Sequence, residues 1–257
     1  MIDIFFKVID ENSKPVTYKQ SARFKPSILG SPCLRKIFYS YNCVLEDFGM
    51  ARKNKIICDM GNYIHEYLSE IFRKANILVD FVLPDGRTPI GKYSHKPDHE
   101  FPLKDFELNL SLKIDAVLKI EDKLWIAEYK SIKGEDWLKL IEPKPEHRIQ
   151  AMVYVYIFNK ALEDNLFSYI PALSGIKKVE GIKFLYFSKD EKNWKQDGSG
   201  ILKEFTVLAD DDLFIKIVEK MEQVKQHTKT KTLPPKAEDF CFFCPYRTKC
   251  GKNILGI

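Results

Sequence analysis

Two adjacent strand patterns near the middle of the chain constrain its fold more than any other feature. Every second residue from Phe106 to Ile114 is apolar, and this alternation predicts a strand over 106–120 with one buried face. A second apolar run, 124–132, follows after the polar segment 121–123 and predicts another strand. Because so short a connection favours antiparallel pairing, we expect the two strands to lie side by side in one sheet.

Helical patterns surround these strands. Apolar residues recur three or four positions apart in the predicted helices, which lie at 27–48, 57–75, 146–162 and 210–227. Further strands are predicted at 180–188 and 201–208. Residues 80–105 are rich in proline and glycine and are predicted to form a long loop, whereas 1–26 are predicted to form an N-terminal extension with one strand. Strands interleaved with helices predict an α/β domain.

The composition allows a large folded domain and leaves the partner open. The chain has 257 residues, of which 45% are hydrophobic, and its net charge is +5. A mild positive excess favours a polyanionic partner such as nucleic acid, although many soluble enzymes are equally basic. The sequence contains no run of about 18 apolar residues and no secretory signal pattern, so we expect a cytoplasmic protein without a membrane partner.

Three charged residues fall on the two central strands. Glu128 and Lys130 are two positions apart on the second predicted strand, so their side chains leave the same face. Antiparallel pairing brings the carboxylate of Asp115 near Glu128. Two carboxylates on neighbouring strands suit Mg²⁺ or Mn²⁺, and a lysine beside the ion can orient or deprotonate a water. A surface hairpin with scattered charges is the alternative, although a charged pair directly after an apolar run is unexpected there.

Three cysteines cluster in the C-terminal region of the sequence. The spacing C-x2-C-x5-C is formed by Cys241, Cys244 and Cys250, and it lets several thiolates bind one soft metal centre. A fourth ligand must come from the remaining cysteines, which are Cys33, Cys43 and Cys58. We expect the two that do not bind metal to pack as small buried side chains. An iron–sulfur cluster and a zinc ion both fit four thiolates, and reduced thiols without a metal are the remaining alternative.

The pattern of Asp115 followed by Glu128-Tyr129-Lys130 resembles the active-site motif of the PD-(D/E)xK nuclease superfamily. Gln150 and Tyr154 share a face of the next predicted helix, and their Q-x3-Y spacing resembles the signature of the RecB-like branch. The resemblance implies a restriction-endonuclease-like mixed central sheet flanked by helices. The catalytic residues that it implies are Lys130, Glu128, Asp115, Gln150 and Tyr154.

An upstream segment, Gly61-Asn62-Tyr63-Ile64-His65-Glu66, resembles the G-x3-H-E motif of the same branch. The resemblance implies that a divalent ion is bound by His65, Asp115, Glu128 and the Tyr129 carbonyl. Because imidazole suits Mn²⁺ better than the harder Mg²⁺, a preference for Mn²⁺ is expected. The chain departs from the family in lacking a glycine shortly before Asp115, which leaves the local strand geometry open.

The context of Cys33, Cys-Leu-Arg-Lys-Ile-Phe-Tyr, resembles the N-terminal cysteine motif of iron–sulfur RecB-like nucleases, such as the AddB nuclease domain and the CRISPR-associated adaptation exonuclease. The resemblance implies a 4Fe–4S cluster, with Zn²⁺ as the alternative, bound by Cys33, Cys241, Cys244 and Cys250. It also implies one nuclease domain over 27–257, in which a cluster-binding lobe formed by about 27–50 and 230–257 joins the N- and C-terminal segments.

The function implied by the resemblance is exonuclease action on single-stranded DNA or free DNA ends, in recombination, repair, or phage or CRISPR DNA processing. The residues implied to contact DNA are Arg35, Lys36, Gln150, Tyr154 and Arg247. The sequence has no G-x4-G-K-[ST] motif, so a helicase is an expected partner, together with a recombinase or an adaptation complex. The alternatives are a non-catalytic iron–sulfur DNA-binding scaffold and a zinc protein with no nucleic-acid role.

Overall fold

The computed structural model of the chain describes residues 2–12, 22–47, 51–92, 95–237, 241 and 244–250. Its α-helices are α1 (Ile2–Glu11), α2 (Pro26–Leu29), α3 (Leu34–Tyr41), α4 (Arg52–Lys74), α5 (Gly134–Lys139), α6 (Pro145–Glu163) and α7 (Asp211–Lys229). Its strands are β1 (Leu78–Val79), β2 (Phe101–Asp105), β3 (Leu110–Ile114), β4 (Ala116–Ile120), β5 (Lys123–Ile132), β6 (Val179–Ser188) and β7 (Leu202–Leu208). Among the described helices, none is both long and apolar enough to cross a lipid bilayer.

The central sheet has the strand order β1-β4-β5-β6-β7. Strands β5 and β6 pair in parallel, whereas the other neighbours pair antiparallel, so the sheet is mixed. A parallel pair needs a crossover connection, which α5 and α6 supply. Strands β2 and β3 form a separate antiparallel hairpin. This arrangement confirms the predicted α/β fold with a restriction-endonuclease-like mixed sheet flanked by helices.

Apolar side chains pack against both faces of the sheet. Successive residues of β5 point to opposite faces, so Ile126 joins the larger core with α3, α6 and α7, while Tyr129 joins a smaller core with Leu68 of α4. Helix α6 is buried around most of its circumference, as expected for a helix inside a core. Core packing therefore fixes the positions of Gln150 and Tyr154 beside the sheet.

The strand predicted over 106–120 is wrong in part, because it is interrupted twice. At its beginning, the Asp105 carboxylate accepts a hydrogen bond from Leu108 N at 2.7 Å and Asn109 adopts a φ of 56°. These local features favour a turn over an extended strand. The second interruption, at Asp115, separates β3 from β4.

Other expectations also differ from the structure. The N-terminal extension contains α1 rather than a strand, and this helix packs on α4, where the Arg52 guanidinium lies 4.5 Å from the Phe6 ring centroid. The predicted loop over 80–105 ends in β2. Cys58 is exposed and Cys43 is half-buried, so the prediction that both are buried is wrong.

Residues from distant parts of the sequence meet beside the sheet and form what we call the terminal lobe, residues 33–47 and 244–250. Tyr39 Oη donates a hydrogen bond to the Lys249 carbonyl at 3.3 Å. Asp47 N donates to the Pro245 carbonyl at 2.7 Å. The predicted cluster-binding lobe also includes 48–50, 238–240, 242–243 and 251–257, which lie outside the described residues.

Candidate active site and cysteine cavity

Asp115 lies at the break between β3 and β4, directly across from Glu128 on β5. Ala116 pairs with Ala127, so Asp115 and Glu128 stand opposite each other one position further along the two strands. Asp115 Oδ2 accepts a hydrogen bond from Tyr129 N at 2.9 Å. This bond fixes the Asp115 carboxylate against β5, as the antiparallel pairing predicted from the sequence requires.

Glu128 and Lys130 share a face of β5 and contact each other. Lys130 Nζ forms an ion pair with Glu128 Oε1 and donates a hydrogen bond of 3.4 Å to Gln150 Oε1. Gln150 Nε2 donates in turn to Tyr154 Oη at 2.7 Å. A chain of polar contacts therefore runs from Tyr154 of α6 to Glu128 at the centre of the sheet.

His65 of α4 lies on the other side of Asp115. Its Nδ1 is 3.7 Å from Asp115 Oδ1, and its ring meets that of Tyr129 edge-on with 5.5 Å between centroids. Helix α4 approaches β5 at Gly61, where an added Cβ atom would lie 3.4 Å from Ser131 Oγ. The contact between helix and strand brings the imidazole next to the carboxylates and the lysine.

Burial shifts the proton affinities of this cluster. It raises the pKa of Asp115 to about 6, and together with the Asp115 carboxylate it raises the pKa of Glu128 to about 7. Burial also lowers the pKa of His65. For Lys130, burial acts to lower the pKa, but Glu128 and Asp115 outweigh it and the pKa is raised. Near neutral pH the cluster therefore combines a charged lysine, a neutral imidazole and readily protonated carboxylates.

The donor set of this cluster fits a divalent cation. Glu128 Oε2 is fully buried and accepts no hydrogen bond from any described residue. A buried carboxylate oxygen without a donor is costly unless a cation faces it. Imidazole nitrogen and carboxylate oxygen are ligands that Mn²⁺ accepts, and carboxylates also suit Mg²⁺. Over the described ranges, no three His, Cys, Asp or Glu side chains are already spaced as a closed metal shell.

The four cysteines predicted to share a metal centre line one cavity of about 890 Å³; they are Cys33, Cys241, Cys244 and Cys250. Burial raises the pKa of the Cys244 thiol, and the thiolates of Cys33 and Cys250 add to the effect, so these sulfurs are electrostatic neighbours. Among the described cysteines, Cys43 and Cys58 do not line the cavity. Of the candidates for a fourth ligand, Cys33 alone therefore faces the tail cysteines.

A glycine allows the wall of this cavity to form. The connection between α2 and α3 passes over the first turn of α6, and an added Cβ atom at Gly30 would lie 2.7 Å from the Cα atom and the carbonyl oxygen of Glu146. Real Cβ atoms do not approach backbone so closely. Gly30 therefore sets the position of the segment that carries Cys33.

The cations predicted to contact DNA fall into one group, and the polar residues of α6 into another. The cavity wall includes Arg35, Lys36 and Arg247, and Arg35 Nη1 contacts Cys250 Sγ at 3.8 Å. Gln150 and Tyr154, in contrast, are buried and hydrogen-bonded to each other, and Gln150 also accepts from Lys130. Their side chains therefore lie beside Glu128 and Lys130 rather than at an open surface.

Glu100 lies beside the cluster although no motif singles it out. It precedes β2, whose Phe101 pairs with Ile114, so Glu100 stands next to Asp115 in the hairpin and forms an ion pair with Lys113. Apolar alternation in Phe101 and Leu103 is the signal that locates this strand. The proline at position 102 weakens that signal, because proline is uncommon inside strands.

A model of the PD-(D/E)XK nuclease superfamily matches residues 48–251, which is most of the chain. The chain belongs to the PD-(D/E)XK nuclease superfamily. The matched region contains every residue of the cluster from His65 to Tyr154 and the three tail cysteines, whereas Cys33 precedes it. Nucleases of this superfamily typically use Mg²⁺ or Mn²⁺.

A solved structure shares the fold of this nuclease. The crystal structure of SSO0001 is similar with a TM-score of 0.51 and 15% identity over 99% of this chain and 98% of that chain. The crystal structure of an alkaline exonuclease (LHK-Exo) from Laribacter hongkongensis has a TM-score of 0.47 and 10% identity over 82% of this chain and 90% of that chain. The comparison with curated proteins found no match.

Proposed function

We propose that this nuclease hydrolyses phosphodiester bonds of DNA with the help of Mn²⁺ or Mg²⁺. The observation that carries the proposal is the ion pair between Lys130 and the fully buried Glu128, next to the Asp115 carboxylate, whose side chain is 14% exposed. Such a group of charges is expensive to bury and contributes little to stability. Strongly shifted pKa values in a buried acid–lysine group are typical of catalytic sites.

Each member of the cluster has a separate role in this proposal. The ion would be held by His65, Asp115, Glu128 and the Tyr129 carbonyl, and when bound it supplies charge that stabilises the transition state and the leaving oxygen. Lys130 has a raised pKa and stays protonated, so it orients the attacking water and neutralises charge on the phosphate by donating hydrogen bonds.

Gln150 and Tyr154 are positioning residues in the proposed site. Because Gln150 Nε2 donates to Tyr154 Oη, the amide is oriented with Oε1 toward Lys130. The carbonyl oxygen accepts one of the three Lys130 protons and leaves others for Glu128 and the substrate. A side chain that holds the lysine in this way affects the rate of cleavage without touching DNA.

We infer that Cys33, Cys241, Cys244 and Cys250 hold a 4Fe–4S cluster. Four thiols around one cavity, with the Arg35 guanidinium in contact with Cys250 Sγ, support the inference, because such contacts stabilise cluster sulfurs. Zinc is the other candidate. A single Zn²⁺ ion also binds four thiolates, with Zn–S distances of about 2.3 Å, so iron and sulfide analysis decides between the two.

The proposed substrate is single-stranded DNA or a free DNA end, and the proposed mode of action is that of an exonuclease. The proposed setting is recombination, repair, or phage or CRISPR DNA processing. The cations around the cysteine cavity, Arg35, Lys36 and Arg247, support a polyanionic ligand. A helicase, a recombinase or an adaptation complex is the proposed partner, because the chain carries no motor motif of its own.

The decisive experiment is digestion of end-labelled single- and double-stranded DNA by anaerobically purified protein with Mn²⁺, Mg²⁺ or chelator. We expect release of short products from single-stranded ends that requires a divalent ion. The variants Lys130→Ala and Glu128→Ala are expected to abolish cleavage, whereas Lys123→Ala at the other end of β5 serves as the matched control. Wild-type cleavage rates in Lys130→Ala would remove this mechanism, and DNA binding without any cleavage by the wild type would favour a non-catalytic scaffold.

A further inference from the structure

A second pocket, of about 270 Å³, lies against Lys130 and is rich in cationic groups. We call it the lysine pocket and define it by Lys130, Lys133, Lys144, His147, Tyr186 and Lys189. The one carboxylate in its lining is Asp136. Four lysines around a small volume repel each other unless an anion neutralises them.

The fold itself gathers these side chains. Lys130 and Lys133 lie at the carboxyl end of β5, and Lys189 follows the parallel strand β6. Lys144 is the N-cap of α6, and His147 lies in the first turn of that helix. The region outside the carboxyl ends of parallel strands is where open α/β sheets bind ligands, and the positive end of a 19-residue helix adds to the field.

The positive charge of the lysine pocket is only partly balanced. Lys144 Nζ pairs with Asp136 Oδ2 at 3.4 Å, and Lys130 pairs with Glu128. For Lys133 and Lys189, the described part of the chain offers no ion pair. Two ammonium groups of the pocket therefore remain available to an anionic ligand.

His147 completes the pocket as a neutral donor. Burial, with Lys130 and Lys144 nearby, lowers the pKa of His147 to about 3. Tyr186 Oη accepts a hydrogen bond from Lys144 N at 3.1 Å and lies 2.8 Å from His147 Nδ1. In the tautomer in which the Tyr186 hydroxyl donates to Nδ1, the ring proton is on Nε2 and is available to an oxygen of the ligand.

We propose that the lysine pocket binds a phosphate group of the nucleic-acid strand, next to the phosphate that is cleaved. The proposal rests on the proposed function, because Lys130 belongs both to the catalytic cluster and to this pocket. Phosphate oxygens match the available donors, which are several ammonium groups and one imidazole N–H. The ligand is either a neighbouring backbone diester or a terminal monoester.

The adjoining cysteine cavity supports a nucleic-acid strand over a small anion. Pro145 and Glu146 of α6 line that cavity, while their neighbours Lys144 and His147 line the lysine pocket. The two basic recesses thus flank the same helix terminus. A strand lying across the N-terminus of α6 has cations on both sides of it.

Binding without cleavage tests this proposal. Fluorescence anisotropy in chelator measures the affinity of labelled single-stranded oligonucleotides for the wild type, Lys133→Glu, Lys189→Glu and the control Lys123→Glu. Lys123 is exposed and lies roughly 23 Å along β5 from Lys130, at about 3.3 Å per residue. We expect about tenfold weaker binding for each pocket variant relative to the control, and a salt dependence reduced by about one counterion. Lys133→Gln and Lys189→Gln repeat the test if a reversed charge prevents folding.

Modified oligonucleotides distinguish the two sources of phosphate. One set of oligonucleotides carries a neutral methylphosphonate at each linkage in turn. If the pocket binds a backbone diester, the substitution at one linkage is expected to weaken binding to the wild type. The same substitution should not change binding to Lys189→Glu. If the pocket binds a terminal monoester, removal of the terminal phosphate should weaken binding to the wild type but not to Lys189→Glu. The proposal is overturned if the pocket variants bind DNA as tightly as Lys123→Glu does. It is also overturned if each modified oligonucleotide loses the same affinity for the wild type as for Lys189→Glu. Because cleavage is not measured, a failed cleavage assay contradicts the proposed function separately.

Discussion

The Asp115 carboxylate is fixed by the backbone of the neighbouring strand, because its Oδ2 accepts a 2.9 Å hydrogen bond from Tyr129 N. Asp115 thus holds the break between β3 and β4 against β5, and its carboxylate also faces the candidate metal site. Asp115→Asn separates the two roles, since an amide oxygen still accepts the hydrogen bond but carries no charge.

We expect Asp115→Asn to fold with a stability within about 1 kcal/mol of the wild type and to lose cleavage at least about 100-fold. Urea unfolding and an end-labelled DNA assay measure the two effects. Asp122→Asn, in the exposed turn between β4 and β5, is the matched control. An active Asp115→Asn enzyme would show that this carboxylate binds no catalytic ion.

The stability that Asp115 and Glu128 contribute to the metal-free protein is expected to fall as pH rises from 5 to 8, whereas the lowered pKa values of His65 and His147 act in the opposite direction. In the folded state the pKa values of Asp115 and Glu128 are about 6 and about 7, whereas unfolded carboxyl groups titrate near 4. The folded state therefore binds more protons across this range, and the stabilisation present below pH 4 is lost as both groups ionise. Thermal unfolding in chelator measures this contribution by comparison with Glu128→Gln: the wild type should lose stability relative to the variant as pH rises from 5 to 8.

Mn²⁺ should reverse that trend, because a metal competes with protons for the same carboxylates. We expect a larger rise in melting temperature on adding Mn²⁺ at pH 8 than at pH 5. Glu128→Gln should show little rise at either pH. Equal rises at both pH values in the wild type would place metal binding outside this cluster.

Substitution at Gly30 is expected to destabilise the fold through a backbone clash. An alanine Cβ would meet Glu146 backbone atoms at 2.7 Å, so α2 and α6 must separate. We expect Gly30→Ala to lower the free energy of unfolding by about 1–3 kcal/mol. Ser27→Ala, at an exposed position of the same helix, should change it by less than about 0.5 kcal/mol in the same urea titration. Equal stabilities of the two variants would mean that the helices can move apart freely.

The cysteine proposal predicts which thiols are needed for a bound metal centre. Anaerobically purified wild type should be brown and contain about four iron and four sulfide per chain. Cys33→Ser and Cys244→Ser should lose the iron and the visible absorbance, whereas Cys43→Ser and Cys58→Ser should keep both. One zinc per chain without sulfide would identify the alternative ion, and iron retention in Cys33→Ser would remove that residue from the ligand set.

Much of this architecture follows from local sequence patterns. The apolar run of β5, the helical spacing of α4 and α6, and the side chains that share a strand face predict that Asp115, Glu128 and Lys130 meet. These predictions succeed because a period of two or of three to four fixes which side chains share a surface.

Other parts depend on contacts that are distant in the sequence. The turn after Asp105 lies within an unbroken apolar alternation, and only the local hydrogen bond and the positive φ of Asn109 end the strand. The lysine pocket has no sequence signal of its own, because Lys133, Lys144 and Lys189 follow different elements. Only the parallel pairing of β5 with β6 brings them together.

The contact between Tyr39 and Lys249, 210 positions apart, also sets an order of events during synthesis. A ribosome has delivered every residue from His65 to Tyr154 long before Lys249 emerges from it. The proposed catalytic residues can thus assemble while the Tyr39 ring still lacks its contact with Tyr246, whose ring centroid lies 5.4 Å away in the folded chain. Nascent chains that stall in this interval expose an apolar surface to chaperones and proteases.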